Sequence, residues 1–137
     1  MKIKYNNISE VVANVASEFN ATIVLTHSEG DYQGVTMYLL KSATGGYGVV
    51  WYHYGSCSGC DAFWSYHDNA RMPCGFEPKE NQDEVWHPLE EGFRIEIKNM
   101  DWLSPTMFKS NYGMEFSDNE KPFQDQCELY FRRLNGT

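Results

Sequence analysis

Three strand-like runs joined by short turns fill residues 22–54, and they constrain the fold more than any other part of the chain. Thr22 to His27 is short and β-branched, and Ser28-Glu29-Gly30-Asp31 reads as the turn after it. Val35 to Lys41 alternates, with Val35, Met37 and Leu39 on one face, before a second turn at Ala43-Thr44-Gly45-Gly46. Tyr47 to Tyr54 is the third run. Connections this short make an antiparallel meander, because a parallel pair needs a long crossover. In the third run Val49, Trp51 and His53 alternate with Val50, Tyr52 and Tyr54. Both faces are apolar or aromatic, which predicts a strand that is central or covered on both sides.

Helical periodicity flanks the meander. Ile8, Val11, Val12, Val15 and Phe19 mark one face of a helix, capped by Asn7 with Glu10 in the capping-box position and stopped at Asn20. Phe123, Cys127, Tyr130, Phe131 and Leu134 mark a second, ended by Gly136. Asn119 is its expected cap, which leaves Pro122 in the first turn, where a missing N–H does no harm. Phe93 to Lys98 alternates and reads as a fourth strand with one wet face. Asp61 to His67 reads as a short helix, residues 69–92 as irregular around Pro73, Pro78 and Pro88, and residues 99–118 fit no single pattern. The expectation is an α+β fold in one domain, 1–137. Its sheet is mainly antiparallel, of about four or more strands, with the N-terminal and C-terminal helices packed on one side.

The charge balance narrows the function. Eleven basic residues stand against 19 acidic ones, a formal net charge of -8. Direct binding to DNA or RNA draws most of its affinity from a basic surface, so this balance argues against it. It fits a partner protein with a basic surface. No run approaches the length of a membrane span, and no apolar segment follows Met1-Lys2-Ile3-Lys4 as a leader peptide requires. A cytoplasmic setting with reduced thiols is the expectation for Cys57, Cys60, Cys74 and Cys127.

Polar chemistry is densest at Tyr54-Gly55-Ser56-Cys57-Ser58-Gly59-Cys60-Asp61. Together with His67 and Cys74 the two cysteines form a Cys-x2-Cys-x6-His-x6-Cys set, three thiolates and one imidazole, which suits tetrahedral structural zinc. A Cys-x-x-Cys between strand and helix also suits redox chemistry, although Asp61 disfavours a neighbouring thiolate. A Gly/Ser loop opening a helix also suits an anion, but no Lys or Arg falls between Lys41 and Arg71. The remaining alternative is a tight aromatic-flanked turn with no cofactor. Hydrolase motifs are missing: there is no Gly-x-Ser-x-Gly and no His-Glu-x-x-His, and His27, His53, His67 and His87 are scattered.

Residues 57–91 hold eight acids and two bases, and so six of the eight net negative charges. The acids alternate with Phe76, Val85, Trp86, Pro88 and Leu89, which a purely solvating segment does not need. Acids around exposed aromatics make a contact surface for a basic protein. The expected contact residues are Glu77, Glu80, Asp83, Glu84, Trp86, Glu90 and Glu91.

The segment Tyr52-His53-Tyr54-Gly55-Ser56-Cys57-Ser58-Gly59-Cys60-Asp61 resembles a motif in small uncharacterised proteins of bacteriophages and mobile elements. In that motif too an aromatic strand runs into Gly-Ser-Cys-Ser-x-Cys-Asp and then a helix. The resemblance covers about ten residues and implies a context: an accessory protein in a bacterial cytoplasm that binds and inhibits a host enzyme, such as one of the defence or nucleic-acid machinery. The leading expectation is therefore a non-catalytic binder with no cofactor. The alternatives are a zinc-stabilised binding module on Cys57, Cys60, His67 and Cys74, and a small ligand-binding or redox protein at the cysteine loop.

Overall fold

The computed structural model describes residues 5–30, 34–54, 83–112 and 121–134. In chain order these form α1 (Ile8–Glu18), β1 (Ala21–Gly30), β2 (Gly34–Ser42), β3 (Tyr47–Tyr54), α2 (Asp83–Lys98), α3 (Pro105–Tyr112) and α4 (Lys121–Leu134). The cysteine loop and the short helix expected at Asp61 to His67 lie outside the described residues.

Local chemistry sets the ends of α1. The Asn7 side chain accepts from the Glu10 N–H at 3.0 Å, and Glu10 reaches back to accept from the Asn6 N–H at 2.6 Å. The first bond satisfies an N–H that the first turn leaves without a partner, and the second ties the residue before the cap to the helix. The helix stops at Asn20, whose φ of 58° is left-handed, a conformation that Asn tolerates better than most residues. The α3 start is set the same way: Ser104 Oγ accepts from the Met107 N–H at 3.3 Å, with Pro105 as first helical residue.

The three strands form one antiparallel sheet in the order β1-β2-β3, as the short turns require. The sheet carries two hydrophobic cores, one on each face. Tyr38, Leu40, Val50 and Tyr52 pack with Val11, Val12, Val15 and Ala16 of α1 and with Trp86, Leu89, Phe93 and Ile97 of α2. Met37, Leu39, Tyr47 and Val49 pack with Phe108 of α3 and with Phe123, Cys127 and Phe131 of α4. The N-terminal and C-terminal helices therefore lie on opposite faces, which corrects the one-sided arrangement. The cause is visible in β2, where Thr36 to Leu40 are buried without a break, so each face needs its own cover. Among the described residues the central strand is β2, whereas β3 is covered on both faces but lies at one edge.

The fourth strand expected at Phe93 to Lys98 is the second half of α2, and residues 83–92, expected to be irregular, are its first half. Trp86, Leu89, Phe93 and Ile97 recur every three or four residues and form one buried stripe, which overrides the local alternation. Ile95 falls on the opposite side and is 54% exposed. Pro88 sits inside this helix, where it removes one backbone hydrogen bond.

After α2 the chain returns along the edge of β3. The Tyr47 N–H donates to the Leu103 carbonyl at 2.8 Å, and the Leu103 N–H donates to the Tyr47 carbonyl at 2.9 Å. Gly46 permits this close approach, since a Cβ there would lie 2.6 Å from the Cβ of Trp102 and 3.1 Å from its backbone carbon. In an antiparallel ladder residues alternate in the side toward which their backbone groups point, so the backbone N–H of Trp51 points outward like that of Tyr47. The Glu96 carboxylate, from α2, accepts it.

β1 carries a bulge between Ile23 and Leu25. Ile23 lies opposite Leu40 and packs on the α1 side, whereas Leu25 lies opposite Leu39 and packs with Val24 on the α4 side. The extra residue reverses which side chains face which core. Beyond it, His27 and Glu29 face the α4 side, opposite Met37 and Val35.

Candidate functional site

The residues expected to meet a partner divide three ways. Glu77 and Glu80 lie outside the described residues, as do Cys57, Cys60, His67 and Cys74 of the zinc set. Asp83 and Glu84 form the start of α2. Trp86, Glu90 and Glu91 have defined environments, and two of them point inward.

Trp86 is fully buried, which corrects its expected place on a contact surface. Its ring stands edge-on to Tyr5, with centroids 5.3 Å apart at 87°. Glu90 is 6% exposed, and it too is removed from the surface. The Tyr5 hydroxyl donates to Glu90 Oε2 at 2.5 Å and accepts from Asn14 Nδ2 at 2.9 Å. Burial, then the Glu90 carboxylate, push the Tyr5 hydroxyl well above the usual phenol range, so it remains a donor at neutral pH. Composition placed Trp86 and Glu90 among acids, but helical geometry turned both toward the core. Exposure on α2 belongs instead to the side that bears Pro88 and Ile95.

Glu91 reaches solvent, and Arg94 holds it at 2.6 Å. The same guanidinium meets Glu18 of α1 at 3.0 Å and 3.3 Å. Arg94 therefore joins the two helices of one layer, and its two carboxylate partners, Glu18 first, strengthen its hold on its proton. Half-exposed pairs of this kind contribute at most about 1 kcal/mol each. Pro88, Gly92 and Ile95 complete the outer face, one helical turn apart along a single stripe. Glu84 precedes Pro88 by one turn. A Cβ added at Gly92 would meet nothing within 4 Å, so the fold does not require glycine there.

The fold also assembles one polar cluster that no sequence motif announces. His27 Nε2 bonds to Glu29 Oε1, and His27 Nδ1 lies 3.1 Å from Gln126 Nε2 of α4. With the amide donating to Nδ1, the neutral ring carries its proton on Nε2 and gives it to Glu29. The His-x-Glu spacing within a strand was a usable signal, since alternate residues share a face. The bulge that turns both toward α4 was not. Ser28 points the other way, where its hydroxyl meets Thr36 Oγ1 at 2.9 Å.

Cys127 is buried and free in the α4 core, as its place among apolar residues predicted. Burial and the nearby Glu128 push its thiol up to about 12. Among the described residues no group of three or more His, Cys, Asp or Glu is placed to hold a metal ion, and no helix is long and apolar enough to cross a membrane. Comparison with protein-family models, with curated proteins and with solved structures finds no match to the chain.

Proposed function

We propose that this is a small acidic accessory protein of bacteriophage type, which binds a basic surface on a host protein in the bacterial cytoplasm and modulates that protein without catalysis. The contact is the outer face of α2 together with the acidic chain leading into it, Glu77, Glu80, Asp83 and Glu84. The observation that carries this reading is the stripe Pro88, Gly92 and Ile95. In a helix interior Pro costs about 3 kcal/mol and Gly about 1 kcal/mol relative to Ala. Gly92 packs on nothing, and Ile95 is more than half exposed. A face that weakens its own helix and leaves an apolar side chain in water fits a surface shaped for a partner. A glycine there lets that partner approach the helix backbone closely. Charge adds steering, since the acids are concentrated in the segment that enters this helix.

Affinity capture from bacterial lysate tests this with two variants. Glu80→Lys, Asp83→Lys and Glu84→Lys together should slow association and lose the partner that the wild-type protein retains. Gly92→Lys improves helix propensity, so it should fold at least as well, yet it places a long cation on the contact face. Loss of the same partner with both variants, at an unchanged or higher melting temperature, supports the proposal. Undiminished capture by both would defeat it.

A further inference from the structure

The outer face of α4 is its own complement. Phe123, Cys127 and Phe131 face the core, whereas Asp125, Leu129 and Arg133 lie on the opposite, exposed stripe. Leu129 is 47% exposed. Asp125 lies one turn before it and Arg133 one turn after, each about 6 Å along the axis. Among the described residues neither Asp125 nor Arg133 takes part in an ion pair.

We propose that a second copy of this chain docks on this stripe, the two α4 helices running antiparallel about a two-fold axis at Leu129. In a two-fold contact the same patch serves both sides, so a residue before the axis meets one equally far after it. Leu129 then packs on Leu129 of the second copy. Asp125 of each copy meets Arg133 of the other, twice over. Like charges on both sides of the leucine would repel in this arrangement, but here every contact joins opposite charges. The net charge of -8 on each copy opposes association at long range. At about 0.15 M salt that repulsion is screened beyond about 8 Å, whereas the charge pairs lie within contact distance. Helix α2 lies on the other face of the sheet, so a dimer joined through α4 presents two acidic α2 faces. The inference does not depend on the function proposed for α2.

Sedimentation velocity across a concentration series up to about 1 mM, near the weak end of measurable association, gives the test. Wild-type protein should pass from monomer to dimer. Asp125→Arg and Arg133→Asp should each raise the dissociation constant at least about tenfold by placing like charges together. Leu129→Lys should abolish the dimer. The decisive sample is an equimolar mixture of the two single charge variants, which should associate again because one copy of each then places opposite charges at both contacts. A wild-type protein that stays monomeric throughout overturns the proposal. So does a dimer indifferent to the single variants, or a mixture that fails to re-form it.

Discussion

Truncating Trp86 distinguishes a core residue from a contact residue. The side chain is fully buried and stands edge-on to Tyr5, in the same cluster as Leu89, Phe93 and Ile97. Trp86→Ala removes an indole that the α1–α2 layer cannot fully collapse around, a change that typically costs about 3–5 kcal/mol. The lost ring pair is part of that figure, at about 0.5–1.5 kcal/mol. Unfolding entropy near 60 °C is about 2.1 cal/mol/K per residue, so 137 residues give about 0.29 kcal/mol/K. The midpoint should therefore fall by about 10–17 °C. Thermal melts followed by circular dichroism, with urea titration as an independent measure, read this directly. Trp86→Phe should cost much less, because it keeps an aromatic body in the same space. A fall of under about 1 kcal/mol for the alanine variant, or lost partner binding at unchanged stability, would refute the core assignment.

Two further outcomes concern buried ionisable groups. Burial raises the Glu96 carboxyl above its ordinary range, against the opposing effect of the Trp51 N–H. A raised acid binds its proton more tightly when folded, so its ionisation weakens the fold as pH rises through the folded value. Glu96→Gln keeps an oxygen for Trp51 and should be the more stable at pH 7, with the advantage shrinking as pH falls through the carboxylate range; an advantage that grows toward low pH would contradict this. With its thiol pushed up to about 12 by burial, Cys127 should be almost wholly un-ionised at pH 8. In a variant with Cys57, Cys60 and Cys74 replaced by Ser, Cys127 should label quickly in denaturant and about a thousandfold more slowly when folded, and prompt labelling of folded protein would show that it is accessible.

The parts of the fold that were legible from sequence carry short-range signals. Asn7 and Glu10 announce α1, the turn at Ala43-Thr44-Gly45-Gly46 announces the pairing of β2 with β3, and the spacing from Phe123 to Leu134 announces α4, whereas Ser28, Glu29 and Gly30, expected in the first turn, belong to β1 and pair with β2. Helix α2 was obscured because Phe93-Arg94-Ile95-Glu96-Ile97-Lys98 satisfies a strand pattern locally. Its helical stripe appears only when Trp86 and Leu89 are included, across a proline that reads as a break. Ser104-Pro105 was an available start signal for α3. The bulge left no trace in the pattern, because Ile23, Val24 and Leu25 are all aliphatic and suit either face. For the acidic surface, composition gave the sign of the charge but not its orientation. Nothing in a count of acids distinguishes Glu90, bonded to Tyr5 inside the fold, from Glu91, paired with Arg94 outside it.

The bulge in β1 also bears on which small length changes this chain can absorb. Ala21 and Ile23 enter the α1 core, and Leu25 enters the α4 core. Opposite them Leu40 and Leu39 are already consecutive. Loss of the single codon for Val24 would make Ile23 and Leu25 consecutive too, and a regular strand would then send each to the core it occupies now. Only the Val24 side chain would be lost. Loss of Thr26 is a different matter. His27 would then fall opposite Tyr38 instead of Met37, and every residue from there to the turn would present its side chain to the wrong layer. Deletions two residues apart in one strand should therefore differ sharply in outcome: the meander has a reading frame of its own, which the loss of residue 24 keeps and the loss of residue 26 breaks.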